Sequence, residues 1–302
     1  MTLDEIAFNY FEGAILKNLA RVFPRHTKQS PDDRLAFYGP PPMLFDKIHE
    51  IHVSCTFTWD VPRALWLADQ WEHIAPVKVG GPAFLDVPGG DFTPGMYLKK
   101  GVVITSRGCP NKCWFCNVWR RDGNIRELPI TEGWNVQDDN LLACSEQHIR
   151  SVFAMLSKQH IRPTFSGGLE AKRLKEWHVH ELALLKPKQL FFAYDEPADY
   201  EPLVEASKLL RKAGFNRHKL RCYVLIGAPR DTIGAAEKRL RQTIELGFFP
   251  SAMLYHNDLG KYKKSWSKFQ RTWHRPAAIA AKLHQENNKE KCYIVQHAVQ
   301  RH

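Results

Sequence analysis

The chain has 302 residues, 44% hydrophobic and 25% charged. This is the make-up of a folded globular protein with one large domain, or a core domain plus an appendage. No apolar stretch approaches the ~20 residues that span a bilayer, and the opening residues mix acidic and apolar side chains at helical spacing, unlike a secretion signal. A cytoplasmic location with no membrane partner is therefore expected. The formal net charge is +11, from 43 Lys and Arg against 32 Asp and Glu. Such an excess attracts phosphate-bearing partners, but the basic residues are dispersed, and a solvated basic surface is the plainer reading.

In chain order, residues 1–48 read as an amphipathic helix followed by an irregular stretch, which Gly39-Pro40-Pro41-Pro42 interrupts. IHEIHVSCTFTW is a strand. VPRALWLADQWEHI has helical spacing, with Asp60 as N-cap and Pro62 in the first turn. PVKVGG is a second strand, so this is a small β-α-β unit. PAFLDVPGGDFTPG reads as a linker, and a domain boundary is placed near residue 98.

Beyond it β and α patterns alternate. Strands are expected at GVVITSR, NVQDDNLLA, RPTFSGG, QLFFAYD, LRCYVLIGA and PSAMLYHN, with helices between them. One of these helices starts at Ser145, and another is stopped by Gly214. Six parallel strands with helical crossovers predict an α/β fold, a (β/α)6 partial TIM barrel. Its functional residues are expected at the carboxyl ends of the strands. The domains are then 1–98, 99–260 and a basic, aromatic helical tail over 261–302. In the tail, Trp266, Phe269 and Trp273 interleave with Lys and Arg. That pattern suits stacking on nucleic-acid bases, and at i, i+3 and i+7 it also describes a helix docking on a core, the preferred reading.

Of seven cysteines, Cys55, Cys144, Cys222 and Cys292 are scattered singly and read as small buried hydrophobes. Cys109, Cys113 and Cys116 stand together in Ser-Arg-Gly-Cys-Pro-Asn-Lys-Cys-Trp-Phe-Cys. Three thiolates on one tight loop suit three irons of a [4Fe–4S] cluster, leaving the fourth iron open to an outside ligand. A zinc site completed by one of the 14 histidines is the alternative, although zinc ligands usually come as two paired knuckles.

The spacing C-x3-C-x2-C, with Phe115 just before the last cysteine, resembles the signature of the radical S-adenosylmethionine superfamily. The methylthiotransferase-like and cobalamin-dependent branches are nearest. The resemblance implies that Cys109, Cys113 and Cys116 ligate the cluster and that Phe115 packs near the adenine of S-adenosylmethionine. It implies an enzyme that cleaves this cofactor to a 5′-deoxyadenosyl radical acting on a substrate it does not identify, with flavodoxin or ferredoxin as a suitable electron donor. Further along, Asp195 and Glu196 resemble a carboxylate ending the fourth strand, suited to ribose hydroxyls; a helix N-cap is the competing reading. Ile226 and Gly227 in LIGAPRDT resemble a fifth-strand segment whose backbone meets adenine. Ser166-Gly167-Gly168-Leu169-Glu170 is similar to the family's Gly-Gly-Glu element but ends the third strand rather than the second. Asp139, in Gln137-Asp138-Asp139-Asn140, is therefore assigned to the methionine ammonium, and Glu170 to the substrate or carboxylate side. Residues 49–82 resemble a reduced cobalamin-type Rossmann unit with room for one βα repeat, and Gly80-Gly81 reads as a turn. The rival class is a non-catalytic, metal-bound nucleic-acid-binding protein. An electron-transfer protein would need a fourth ligand that no spacing supplies.

Overall fold

The computed structural model describes residues 18–257, 259–262, 264–282 and 284. The helix expected at the amino terminus and Cys292 lie outside the described residues. The chain divides into two compact units, Met1–Pro163 and Thr164–His302.

The first unit opens with strands β1 (Leu19–Val22), β2 (Ala36–Phe37) and β3 (Glu50–Ser54), then helix α1 (Val61–Trp71) and strand β4 (Val77–Gly80). The four strands form a parallel sheet in the order β2-β1-β3-β4. Helix α1 carries Ala64, Leu67 and Trp71 on one stripe and buries them against Val22, Ile51 and Val53 of the sheet. The Trp71 indole N–H donates to the Gly39 carbonyl (2.9 Å), which ties the proline-rich stretch to the helix. The sheet is larger than the β-α-β unit expected from sequence. All four residues of β1 are buried, so it lacks the alternation that marks a one-sided strand.

Asp60 does not cap α1 through its side chain. Its carboxylate instead takes a two-pronged ion pair from Arg25, with Nη2 at 2.5 Å from Oδ1. A bidentate, charge-assisted pair outcompetes a single backbone N–H for a carboxylate that is mostly buried.

The same unit continues through β5 (Val102–Val103), β6 (Ser106–Arg107), the one-turn helix α2 (Val118–Arg121), β7 (Arg126–Glu127), β8 (Asn135–Val136) and helix α3 (Glu146–Ser157). Strands β5 and β8 pair in parallel, and β6 pairs antiparallel with β7. The expected strand GVVITSR is thus split in two. The reason is Thr105: its N–H goes to Asp138 and its carbonyl accepts from Leu128 N, so it leaves the β5 ladder. Helix α3 starts where expected, with Ser145 Oγ accepting the His148 N–H (3.2 Å).

The second unit alternates β9 (Thr164–Phe165), α4 (Glu176–Leu185), β10 (Gln189–Ala193), α5 (Tyr200–Lys212), β11 (Leu220–Ile226), α6 (Ile233–Glu245) and β12 (Phe249–Leu254), and adds helix α7 (Lys264–His274). Its strands are parallel and adjacent in sequence order, as short helical crossovers dictate. Along β11, Leu220, Cys222, Val224 and Ile226 are buried while the residues between them are partly exposed. The stripes of α5 (Leu203, Ala206, Leu210) and α6 (Ala236, Leu240) are buried as well, and α6 packs on β11. Gly214 ends α5 at φ +84, a left-handed stop that glycine takes without steric cost.

The tail helix α7 docks as expected. Trp266 and Trp273 are buried, and the Gln270 amide donates to the Ala252 carbonyl of β12 (3.2 Å). No helix among the described residues is long and apolar enough to cross a membrane.

Candidate metal centre

The cysteine loop begins at Gly108, directly after β6. Gly108 has φ +82, and a Cβ there would lie 2.2 Å from the Asn124 carbonyl oxygen. Only glycine passes under that carbonyl without displacing backbone. The turn is closed by the Cys109 N–H donating to the Gly123 carbonyl (3.0 Å) and the Cys116 N–H donating to the Cys113 carbonyl (3.1 Å). From α2, the Trp119 indole N–H donates to the same Cys113 carbonyl (2.9 Å).

Cys109, Cys113 and Cys116 form no disulfide and are half-buried, whereas Cys55 and Cys222 are fully buried, as expected for small core hydrophobes. Burial pushes the Cys222 thiol far up and the Cys55 thiol to about 11, which keeps both protonated. Cys144 is half-buried rather than buried, and its thiol is also pushed to about 11, chiefly by burial.

The chain after β8 grips this loop. Asp139 Oδ2 accepts the Gly108 N–H (2.9 Å), and the Asn140 amide donates to Cys109 Sγ (3.3 Å). Asp138, which the sequence reading did not single out, accepts three donors: Thr105 N (2.6 Å), Thr105 Oγ1 (2.6 Å) and Ser106 Oγ (2.7 Å). Burial raises the carboxyls of both acids, Asp139 to about 6. Their hydrogen bonds pull the other way. The acidic run following a strand was the visible signal for this grip; its division of labour among Asp138, Asp139 and Asn140 was not visible.

On its other flank the loop is strapped to Val87–Asp91. The Gly89 N–H donates to Asp122 Oδ1 (2.7 Å). The Arg107, Arg121 and Arg126 guanidiniums donate to the carbonyls of Gly90 (2.9 Å), Val87 (3.0 Å) and Gly89 (2.5 Å). A Cβ on Gly89 would lie 2.8 Å from the Arg107 side chain. This Pro-Gly segment, expected to be a plain linker, is a bound strap.

Among the described residues, no three His, Cys, Asp or Glu side chains are grouped to hold a single metal ion. A cluster places less demand on convergence, because each thiolate binds its own iron. The donor set fits such a group: three half-exposed cysteines within eight residues, with an amide N–H directed at one sulfur. Phe115 lies on the same loop, edge-to-face with Trp114 at 5.4 Å between centroids.

The remaining expected site residues lie in the second unit. Asp195, at the end of β10, accepts the Leu225 N–H from β11 (2.9 Å), next to Ile226 and Gly227. Burial lifts its carboxyl to about 7, against the pull of that hydrogen bond. Glu196 starts a 3-10 turn with reciprocal capping by Asp199, whose Oδ2 accepts both the Asp195 and Glu196 N–H groups. The competing helix-start reading therefore holds for Glu196, while Asp195 braces two strands. Ile226 is buried. Gly227 has φ +75, its N–H goes to Asp231 (3.0 Å), and a Cβ there would lie 3.0 Å from the Trp266 ring. The flat group near Gly227 is thus an indole of the chain itself. Glu170 pairs with Arg173 (2.6 Å) after β9.

No known family model matches the chain, and no curated protein is detectably similar to it.

Proposed function

We propose that the chain is a radical S-adenosylmethionine enzyme built on a partial (β/α)6 barrel, with Cys109, Cys113 and Cys116 as cluster ligands. The observation that carries this reading is the loop itself: three half-exposed cysteines in C-x3-C-x2-C spacing, its entry glycine fixed by Asp139 and its first sulfur met by the Asn140 amide. The parallel pairs β5–β8 and β9-β10-β11-β12, with helices after the later strands, support the barrel.

When bound there, a [4Fe–4S] cluster supplies the electron that splits the sulfonium of S-adenosylmethionine into methionine and a 5′-deoxyadenosyl radical. The residues of the chain hold and shield this chemistry. Asn140 donates to a thiolate and so stabilises its negative charge. Asp139 fixes the loop entry through Gly108 and presents a carboxylate for the methionine ammonium. The buried Trp266 and Trp273 are not available to stack bases, which leaves the nucleic-acid alternative resting on the net charge of +11.

Anaerobically reconstituted protein given S-adenosylmethionine and dithionite should form 5′-deoxyadenosine, and Cys113→Ala should abolish it. Product that persists in the variant would refute the ligand assignment.

A further inference from the structure

Residues 86–97 cross from the sheet of the first unit to the flank of the cysteine loop. Firm anchors stand on either side of them. Ala83 is buried in the core with Val53 and Leu67, and its N–H donates to the Cys55 carbonyl (3.0 Å). The Lys99 N–H donates to the Gln29 carbonyl (2.9 Å). Between those two points only Gly89 is buried. The hold there is polar at both ends. Beside the sheet, the buried Arg21 guanidinium donates to the Gly95 (3.2 Å) and Met96 (3.4 Å) carbonyls, and the Tyr97 hydroxyl is hydrogen-bonded to His52 Nδ1 (2.6 Å). Beside the loop stand the Gly89–Asp122 bond and the bonds from Arg107, Arg121 and Arg126 described above. These donors are not stranded when the strap leaves. Arg21 keeps Asp33, Arg121 keeps Asp122 (3.1 Å), and Arg107 and Arg126 already reach solvent. Lifting the segment thus uncovers little apolar surface and leaves few buried groups unsatisfied, the conditions for opening without global unfolding.

We propose that residues 86–97 are a releasable strap that opens as a unit between its anchors at Ala83 and Lys99, and that its opening frees the base of the cysteine loop for loading and loss of the metal centre. With the strap off, Arg107, Arg121 and Arg126, which flank the loop on β6, α2 and β7, lose the backbone that ties them together. The opening itself needs no metal; its link to the centre rests on the cluster assignment above.

Two neighbouring glycines test this with opposite signs. A Cβ on Gly90 meets open space, and its φ lies outside the left-handed range. Gly90→Ala therefore costs the open strap conformational freedom and should lower the open fraction about two- to fivefold. A Cβ on Gly89 would lie 2.8 Å from the Arg107 side chain and push its guanidinium off the Gly90 carbonyl. Gly89→Ala should therefore raise the open fraction at least about twofold. Tyr97→Phe, which removes the bond to His52 at the far end, should also raise it and stands in if Gly89→Ala misfolds. Opening is read on the full metal-free chain by amide hydrogen exchange of residues 86–97 and 108–123, with strand β11 as the reference for global unfolding. Both segments should exchange faster than β11, in the stated order of variants, with little change in dilute urea. Iron release from reconstituted protein to a chelator should follow the same order. Strap exchange that matches β11, or the two glycine variants shifting together, would overturn the strap. Ordered exchange with equal iron release from all variants would overturn its link to the centre. Ordered exchange in a chain that takes up no iron or sulfide would support the strap and overturn the cluster assignment instead.

Discussion

Gly108 shows how one residue sets the chemistry of the next eight. Its positive φ and the Asn124 carbonyl 2.2 Å from a would-be Cβ leave no room for alanine, so Gly108→Ala should destabilise the fold by about 2–3 kcal/mol and lower cluster uptake. Gly123→Ala is the matched control. It too has positive φ, but open space surrounds its would-be Cβ, so it should cost only about 1 kcal/mol. Urea midpoints and iron content of the two variants check both. At Asp195, burial lifts the carboxyl to about 7, above the ~3.9 of an unfolded chain. Between those values the folded protein holds a proton that the unfolded chain has released. Its contribution to stability is therefore present below about pH 4 and lost as pH rises to about 7. Asp195→Asn keeps an acceptor for the Leu225 N–H and removes the titration. Its urea midpoint should rise relative to wild type as pH goes from 4 to 8; a constant difference would contradict the burial of that carboxyl.

At the scale of elements, the cysteine loop is held from both sides, by the acidic run after β8 and by a Pro-Gly segment that reads as a linker in sequence. Asp138 gathers three donors from Thr105 and Ser106, and Thr105 and Ser106 are themselves buried. Asp138→Ala leaves those donors without an acceptor and should cost about 2–4 kcal/mol. The Asn variant should recover part of this, because its single carbonyl oxygen still accepts from one or two of them. Equilibrium unfolding of both variants measures the difference. Regular elements were largely legible: β3, α1, α3, α5, β11 and α7 fall where apolar periodicity and capping residues put them. Three features were not. Strand β1 is buried on both faces and carries no period-2 signal; GVVITSR breaks because a distant carboxylate captures Thr105 N–H; Asp60 is drawn away from α1 by Arg25. Each depends on a partner far along the chain, which local pattern cannot supply.

For the molecule as a whole, the cysteine loop was more legible than its support. The triplet Cys109, Cys113, Cys116 stands out by spacing alone, and the acidic run that bonds to the loop entry stands out after a strand. The Val87–Asp91 strap and the Asn140 contact to Cys109 do not, because they rest on tertiary geometry. Gly227 shows why backbone-contact residues are hard to assign from sequence. A turn glycine, a nucleoside platform and a seat for Trp266 all require the same missing Cβ.

The central claim is that this loop leaves one iron without a protein ligand, and electron paramagnetic resonance of the reduced, reconstituted protein tests it most directly. With S-adenosylmethionine labelled with 15N at its amino group, the account predicts an altered [4Fe–4S] signal with a resolved nitrogen coupling, absent in Cys113→Ala. A cluster signal untouched by the cofactor, or a protein that holds zinc and no sulfide, would contradict it.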